Sequence, residues 1–462
     1  GHVLSLSRMD RITALRHDAA TNTFFLTVQP GLLLSRLREQ LASRTFNTTT
    51  WSPESRAALK IFQQAPAQFF PPDPTETSAS IGGMVSCNAS GACSFAFGPT
   101  SAHIQALRVL LPDGSPIALK RGECDVHDRR FRVVTETERI IERTLPGYRT
   151  PSVKNAAGYR IADHMDMVDL FIGMEGTLGV ITEIEIRLSP APAHIFGFLA
   201  FLPDEASALK FVRALRGETL PELSAPLTQR PVAIEFFNSN ALELLRHQKL
   251  TNPAFSYLPD LLPEHNTAIY TEYHGMDEET VSNALVAACD ALTAFGGDSE
   301  TALAADTPHV MEQLKKFRHA LPEAVNLLIS ERKKQEPSLT KLGTDMSVPD
   351  SHLELMMSLY NSDLAKSGLE SVIFGHIGDN HVHVNILPRT RDDYQRGKDL
   401  YMAWAHEAVR LGGSVSAEHG IGKLKSEFLQ IMYGADGVEE MRTLKKTFDP
   451  HGILNPGNLF SM

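Results

Sequence analysis

Several scarcities narrow the reading before any motif is considered. Only four cysteines, Cys87, Cys93, Cys124 and Cys289, are spread through 462 residues, and no two form a CxxC pair. That excludes an iron–sulfur cluster built on the usual spacings, argues against a disulfide framework and suits a reducing compartment. No uninterrupted apolar run approaches the roughly 18 to 20 residues that a membrane-crossing helix needs. No GxGxxG follows a first strand, so a Rossmann nucleotide site is not supported. Positive charge is also short: the formal net charge is -11, whereas nucleic-acid binding needs clustered Lys and Arg to meet phosphate. The one dense basic run, Glu331-Arg332-Lys333-Lys334, reads as a solvated helix end. No signal peptide is read at the start, where GHVLSL enters a strand-like segment directly. The expected location is the cytoplasm, with peripheral attachment to a membrane left open.

The chain is too long for one ordinary core, so two or three domains are expected. Up to about Pro192, strand-like Phe24 to Val28 precedes an amphipathic helix in LLLSRLREQLA, and His103 to Leu111 and Ser115 to Leu119 form a hairpin through Pro112-Asp113-Gly114. Pro71 to Gly91, PPDPTETSASIGGMVSCNASG, is too rich in Pro, Gly, Ser and Thr for a regular element; its glycines and hydroxyls allow close approach to a phosphate or a polar ring edge. A plain surface loop is the competing reading. Val168 to Gly173 reads as an apolar strand, and Glu183 to Leu188 as a half-buried one.

Pro190-Ala191-Pro192 is a stiff break. After it, strands at Phe196 to Leu202, Val232 to Phe237 and Ala268 to His274 alternate with helices at Asp204 to Leu215, Ser239 to Lys249 and Asp277 to Ala294, with Asp204 and Ser239 as N-caps. This pattern predicts an α+β sheet with helices on one face. Further helices are read at Pro308 to Ala320, Asp350 to Lys366 and Val438 to Phe448.

The stretch richest in chemistry is Phe374 to Leu387, FGHIGDNHVHVNIL, with SAEHGIG at Ser416 to Gly422. From His381 polar and apolar residues alternate as in a strand with one face in a core. With Asp379 and Asn380 as the two turn residues of a hairpin, His376 falls opposite His383. Glu418 adds an anionic oxygen, and His419 a base beside it. Two His and one carboxylate with an open position is a ligand set typical of catalytic zinc, with manganese or iron also possible. Core or surface histidines are the bland alternative.

Six segments in order, PPDPTETSASIGGMVSCNASG, VKNAAGYR, FIGMEGTLGVITEIEIRL, GHIGDNHVHVN, SAEHGIG and FDPHGILNPGN, resemble the FAD-linked oxidases of the vanillyl-alcohol oxidase superfamily. Within it the chain is similar to D-lactate dehydrogenase, the flavin subunit of glycolate oxidase and D-2-hydroxyglutarate dehydrogenase. The resemblance implies an α+β fold: a PCMH-type FAD-binding domain at 1–192 lacking its first segment, an α+β cap domain with an antiparallel sheet at 193–435, and a tail at 436–462 returning to the FAD domain. It implies FAD contacts at Pro74, Thr75, Ser80, Ile81, Gly82, Gly83, Asn88, Gly91, Glu175, Gly176, Gly179, Val180, Ile181 and Asn458. It also implies a divalent metal, usually zinc, on His376, His383 and Glu418, with His419 as general base, Asn385 orienting the substrate and Arg318 gripping its carboxylate.

The implied activity is oxidation of a D-2-hydroxy acid such as D-lactate or glycolate. Electrons would pass to a quinone, a cytochrome, an electron-transfer flavoprotein or oxygen; no nucleic acid is expected, and a homodimer is left open. The family's glycine-rich RGGGT-like diphosphate loop would stand upstream of GHVLSL and is not part of this sequence. His381 occupies a position where relatives carry Asn. Two other functions compete: a truncated flavoprotein homologue without catalysis, and an ether-lipid synthase. The synthases have consecutive histidines where this chain has Glu418 and one His419, which favours the dehydrogenase.

Overall fold

Val180–Arg187 buries Ile181, Ile184 and Ile186, and it becomes the centre of the first sheet. The computed structural model describes residues 2–461. In it this strand is flanked by Thr23–Val28 and Ile12–Asp18 on one side and by Ile104–Leu110 and Pro116–Lys120 on the other, every pair antiparallel. The hairpin through Asp113-Gly114 is present, with Asp113 Oδ1 accepting from Ser115 N at 3.0 Å.

Two readings in this part of the chain are corrected. The segment Pro71 to Gly91 does contain a regular element, the helix Ile81–Cys87, capped by Ser80 Oγ accepting from Gly83 N and ended by Asn88 at φ 49°. The apolar run after Asp166 is a helix, Met167–Phe171, because the Asp166 carboxylate accepts from Val168 N and caps it. A short apolar run does not by itself distinguish strand from buried helix.

The chain divides into two units: the first runs to Ala191 and resumes at Val415, the second is Pro192–Ser414. The return to the first unit at Val415 therefore precedes the expected position 436. Ala156 N donates to Ser416 O, and Ile421 N and Gly422 N donate to the Glu175 carboxylate, so SAEHGIG is bonded into the first unit.

The second unit is built on a seven-stranded antiparallel sheet in the order Leu303–Ala305, His194–Leu202, Thr267–Gly275, Ala233–Phe237, Ser371–Gly375, His383–Ile386, Leu342–Gly343. Helices cover both faces, not one. A Cβ on Gly197 would meet Met311 of the helix Pro308–Lys333 at 2.6 Å, whereas one on Gly275, on the opposite face, would meet Val281 of the helix Glu278–Ala294 at 2.4 Å. Asp204 caps its helix as expected, but the helix Ser239–Thr251 is capped by Asn238, whose Oδ1 accepts from Ala241 N. The helix Pro308–Lys333 continues through Pro322 beyond the expected end at Ala320, since Leu321, Ala324, Val325 and Ile329 stay buried on one stripe. The last helix, Ser426–Phe448, starts before the expected Val438 and bends at Gly434.

Candidate active site

In the first unit the two glycine-bearing segments predicted to hold FAD come together. Ser80, Gly82 and Gly83 from one, and Gly176, Gly179, Val180 and Ile181 from the other, line a cavity of about 380 Å³, within the size range of small-ligand sites. A Cβ on Gly82 would meet Pro30 at 2.5 Å and one on Gly179 would meet Val109 at 2.2 Å. No side chain fits at either position, so both glycines present backbone to the cavity. The cradle fits a cofactor approached by main-chain groups.

The other predicted FAD residues take different places. Ile81 is buried in the core, Asn88 Oδ1 accepts from Ser101 N at 3.0 Å, and a Cβ on Gly91 would strike Asp73 O at 2.1 Å. Pro74 and Thr75 do not line the cavity. Glu175 is a junction: its carboxylate accepts from Ile421 N (2.7 Å), Gly422 N (2.8 Å) and Asn458 Nδ2 (2.6 Å), and its carbonyl accepts from Asn455 Nδ2 at 2.8 Å. Asn458 thus ties the chain's tail to the second glycine segment.

In the second unit the histidines gather, by a route other than the predicted one. The strand Ser371–Gly375 pairs Phe374 with His383, so His376 lies in the connection and not opposite His383. That connection turns through Ile377–Asp379 and Asn380 at φ 53°, with His376 O accepting from both Asp379 N and His381 N. Gly375 permits the turn: its φ is 128°, and a Cβ there would meet His383 Cδ2 at 2.9 Å. Buried Arg216 reaches in from the end of the helix Glu205–Leu215. Its guanidinium donates to Ile377 O and to Asn380 Oδ1.

The ring centroids of His376 and His383 end 5.8 Å apart, with His381 4.4 Å from His383 and 5.5 Å from His376. One ring nitrogen of each lies within 4.8 Å of the others. His376 Nδ1 is 2.7 Å from Glu235 Oε1, and His383 Nδ1 is 2.9 Å from Thr344 O. Both Nδ1 atoms therefore carry the proton, which places both lone pairs on Nε2. That is the tautomer an imidazole uses to bind a cation, held by a partner behind the ring. The donor set fits a divalent transition metal.

Asn385 follows on the same strand and is 3 % exposed. On the same face as the Gly197 contacts, Glu272 is buried and accepts from Tyr270 Oη at 2.7 Å, with His274 Nε2 at 3.5 Å and Lys315 Nζ at 3.9 Å. Burial alone would raise its pKa, but His274, Lys315, Arg318 and Tyr270 outweigh it and bring it down to about 2. Arg318 is therefore placed in an acid–base patch with Glu272. Beside it, burial and then the charge of Arg318 hold His319 below its ordinary value, against the pull of Glu235 and Glu272.

Glu418 and His419 lie in the first unit, where Glu418 pairs with Lys154 of VKNAAGYR at 3.5 Å, the Lys154 side chain being 5 % exposed. The sequence reading missed Glu235, Glu272 and Arg216. For the two acids a signal existed: each is the lone carboxylate of its strand, AIEFF and TAIYTEYHG, and a buried carboxylate needs partners.

The family described as "FAD linked oxidases, C-terminal domain" matches residues 192–459, and "FAD binding domain" matches residues 57–120. The chain is 27% identical over 464 residues to the glycolate oxidase subunit GlcD of Bacillus subtilis, covering 100% of this chain and 80% of that protein. It is 27% identical over 465 residues to the probable mitochondrial D-lactate dehydrogenase of Danio rerio, covering 100% and 76%. Among solved structures, an alkyldihydroxyacetonephosphate synthase superposes with a TM-score of 0.56 at 15% identity, covering 97% of this chain and 66% of that one. At that identity the likeness shows the fold. No helix among the described residues is long and apolar enough to cross a membrane.

Proposed function

Because the chain belongs to the FAD linked oxidases, matched through their C-terminal domain, we propose that it is a FAD-dependent dehydrogenase oxidising a small D-2-hydroxy acid to the 2-oxo acid. The observation that carries this reading is the tautomer imposed on His376 and His383 by Glu235 and Thr344. Two imidazoles prepared in that way suit a cation better than they suit a structural core. The likeness to a glycolate oxidase subunit and a D-lactate dehydrogenase supports the substrate class.

The reaction removes a hydroxyl proton and a hydride from Cα. When bound, FAD supplies the hydride acceptor, and a divalent cation, zinc in the first instance, supplies Lewis acidity toward the hydroxyl. Ser80, Gly82, Gly83, Gly176, Gly179 and Ile181 would hold the cofactor. His376 and His383, with Glu418, would hold the cation. His419 takes the hydroxyl proton as a neutral base. Arg318 grips the substrate carboxylate, a task suited to the planar guanidinium fork, and Asn385 orients the substrate. The electron acceptor is of the quinone, cytochrome or electron-transfer flavoprotein class.

A screen of D- and L-2-hydroxy acids with an artificial dye acceptor tests the reading. Dye reduction by a small D-acid, lost on chelation and restored by zinc, is expected. A flavin-loaded preparation that turns over no 2-hydroxy acid would refute it.

A further inference from the structure

His381 is the third imidazole of the cluster, and the reading above gives it no role. It is wholly buried, as is Asp345, whose Oδ1 lies 3.1 Å from His381 Nε2. The contact is one of charge between two buried groups. Each ring has an oxygen beside one nitrogen, Glu235 for His376, Asp345 for His381 and the Thr344 carbonyl for His383. A packing histidine has no need of this; three around one spot with their nitrogens within 4.8 Å form a donor set. Charge points the same way. Glu235 and Asp345 are buried carboxylates, 4 % and 0 % exposed, beside two of the rings, and a dication held by the imidazoles is their electrostatic complement.

Resting on the reading that His376 and His383 bind a cation, we propose that His381 is a third imidazole ligand of it. Three nitrogen donors then come from one connection of the second unit, 376–383. The site takes a borderline transition cation such as zinc, cobalt or copper and discriminates against magnesium and calcium, which require oxygen ligands. Arg216 and Gly375 become positioning residues, since they shape the turn that carries all three rings.

Two measurements on the full chain, stripped of metal by a chelator, test this. In the first, Cu²⁺ alone is added to the unaltered protein and pulsed electron paramagnetic resonance counts the coupled imidazoles. Three are expected. Two would overturn the proposal while leaving the His376 and His383 reading intact, and none would sink both.

In the second, zinc affinity is read by competition with a chromophoric chelator for the unaltered protein and for His381→Gln, whose longer amide keeps a donor for Asp345 but has no Nδ1. Loss of a ligand costs at least as much as loss of the group behind a ligand, so affinity should fall by roughly 10- to 100-fold or more. An unchanged affinity in a variant of unchanged circular dichroism overturns the proposal. The same titration with magnesium should show no competition with zinc; equal competition would count against a nitrogen donor set.

Discussion

The Glu235 carboxylate stands 2.7 Å from Nδ1 of His376, although 141 residues separate them in sequence. Glu235 is 4 % exposed, and its charge both fixes the ring and makes Nε2 the better donor. Glu235→Gln keeps an acceptor oxygen but loses the charge. Zinc affinity should fall by roughly 10- to 100-fold, with flavin content unchanged, because Glu235 does not line the flavin cavity of the first unit. Chelator competition checks the first part and the flavin absorption band the second. Undiminished affinity would mean that Glu235 only packs against His376.

Glu175 offers a test in the first unit. Both carboxylate oxygens are occupied, by Ile421 N on one and by Gly422 N and Asn458 Nδ2 on the other. In Glu175→Gln an amide NH₂ must face at least one N–H donor, and the charge that strengthens all three bonds is lost. The expected loss is about 2–3 kcal/mol, the worth of a hydrogen bond to a charged group. Flavin occupancy should fall with it, as the second glycine segment loses its ties to the tail. Denaturant unfolding with flavin retention as a second probe checks both; an unshifted midpoint would show that the three donors find other acceptors.

Acid should act on His103. It is 3 % exposed with Nε2 2.9 Å from Phe97 O, and burial holds its pKa at about 4 against an ordinary 6.5. The folded value lies below the unfolded one, so folding is favoured fully above pH 6.5 and loses this contribution as pH falls through that range toward 4. The shift corresponds to about 3 kcal/mol at the low end. His103→Gln should flatten the stability profile between those two pH values. A variant whose profile retains the full slope would assign the acid sensitivity to other groups.

Much of the fold could be read from periodicity, because half-buried strands alternate visibly. Ile184 and Ile186 announced the central strand of the first sheet, and Asp204 was the expected cap of its helix. The flavin segments were recognisable as motifs, but only folding shows that Gly82 and Gly179 serve as backbone wall while Glu175 serves as a junction. Local rules failed where tertiary packing won: Pro322 sits inside a helix kept whole by its buried stripe, and Met167–Phe171 is helical because Asp166 caps it. The histidine connection misled for a similar reason. A two-residue turn satisfies the Gly-Asp-Asn sequence, yet Gly375 ends the strand early, and the longer turn brings His381 into the cluster. The partners of Glu235 and Arg216 stayed hidden because those contacts are long-range in sequence.

Anaerobic mixing of the flavin-loaded protein with a D-2-hydroxy acid tests the central claim most directly, since it isolates substrate oxidation from the unknown acceptor. Flavin absorbance should bleach in a single turnover in the unaltered protein. In His419→Ala, with flavin content unchanged, the rate should drop by roughly 10²- to 10⁴-fold, the usual worth of a positioned base. Bleaching at an undiminished rate in that variant, or no bleaching of the unaltered protein by any D-2-hydroxy acid, would contradict the account.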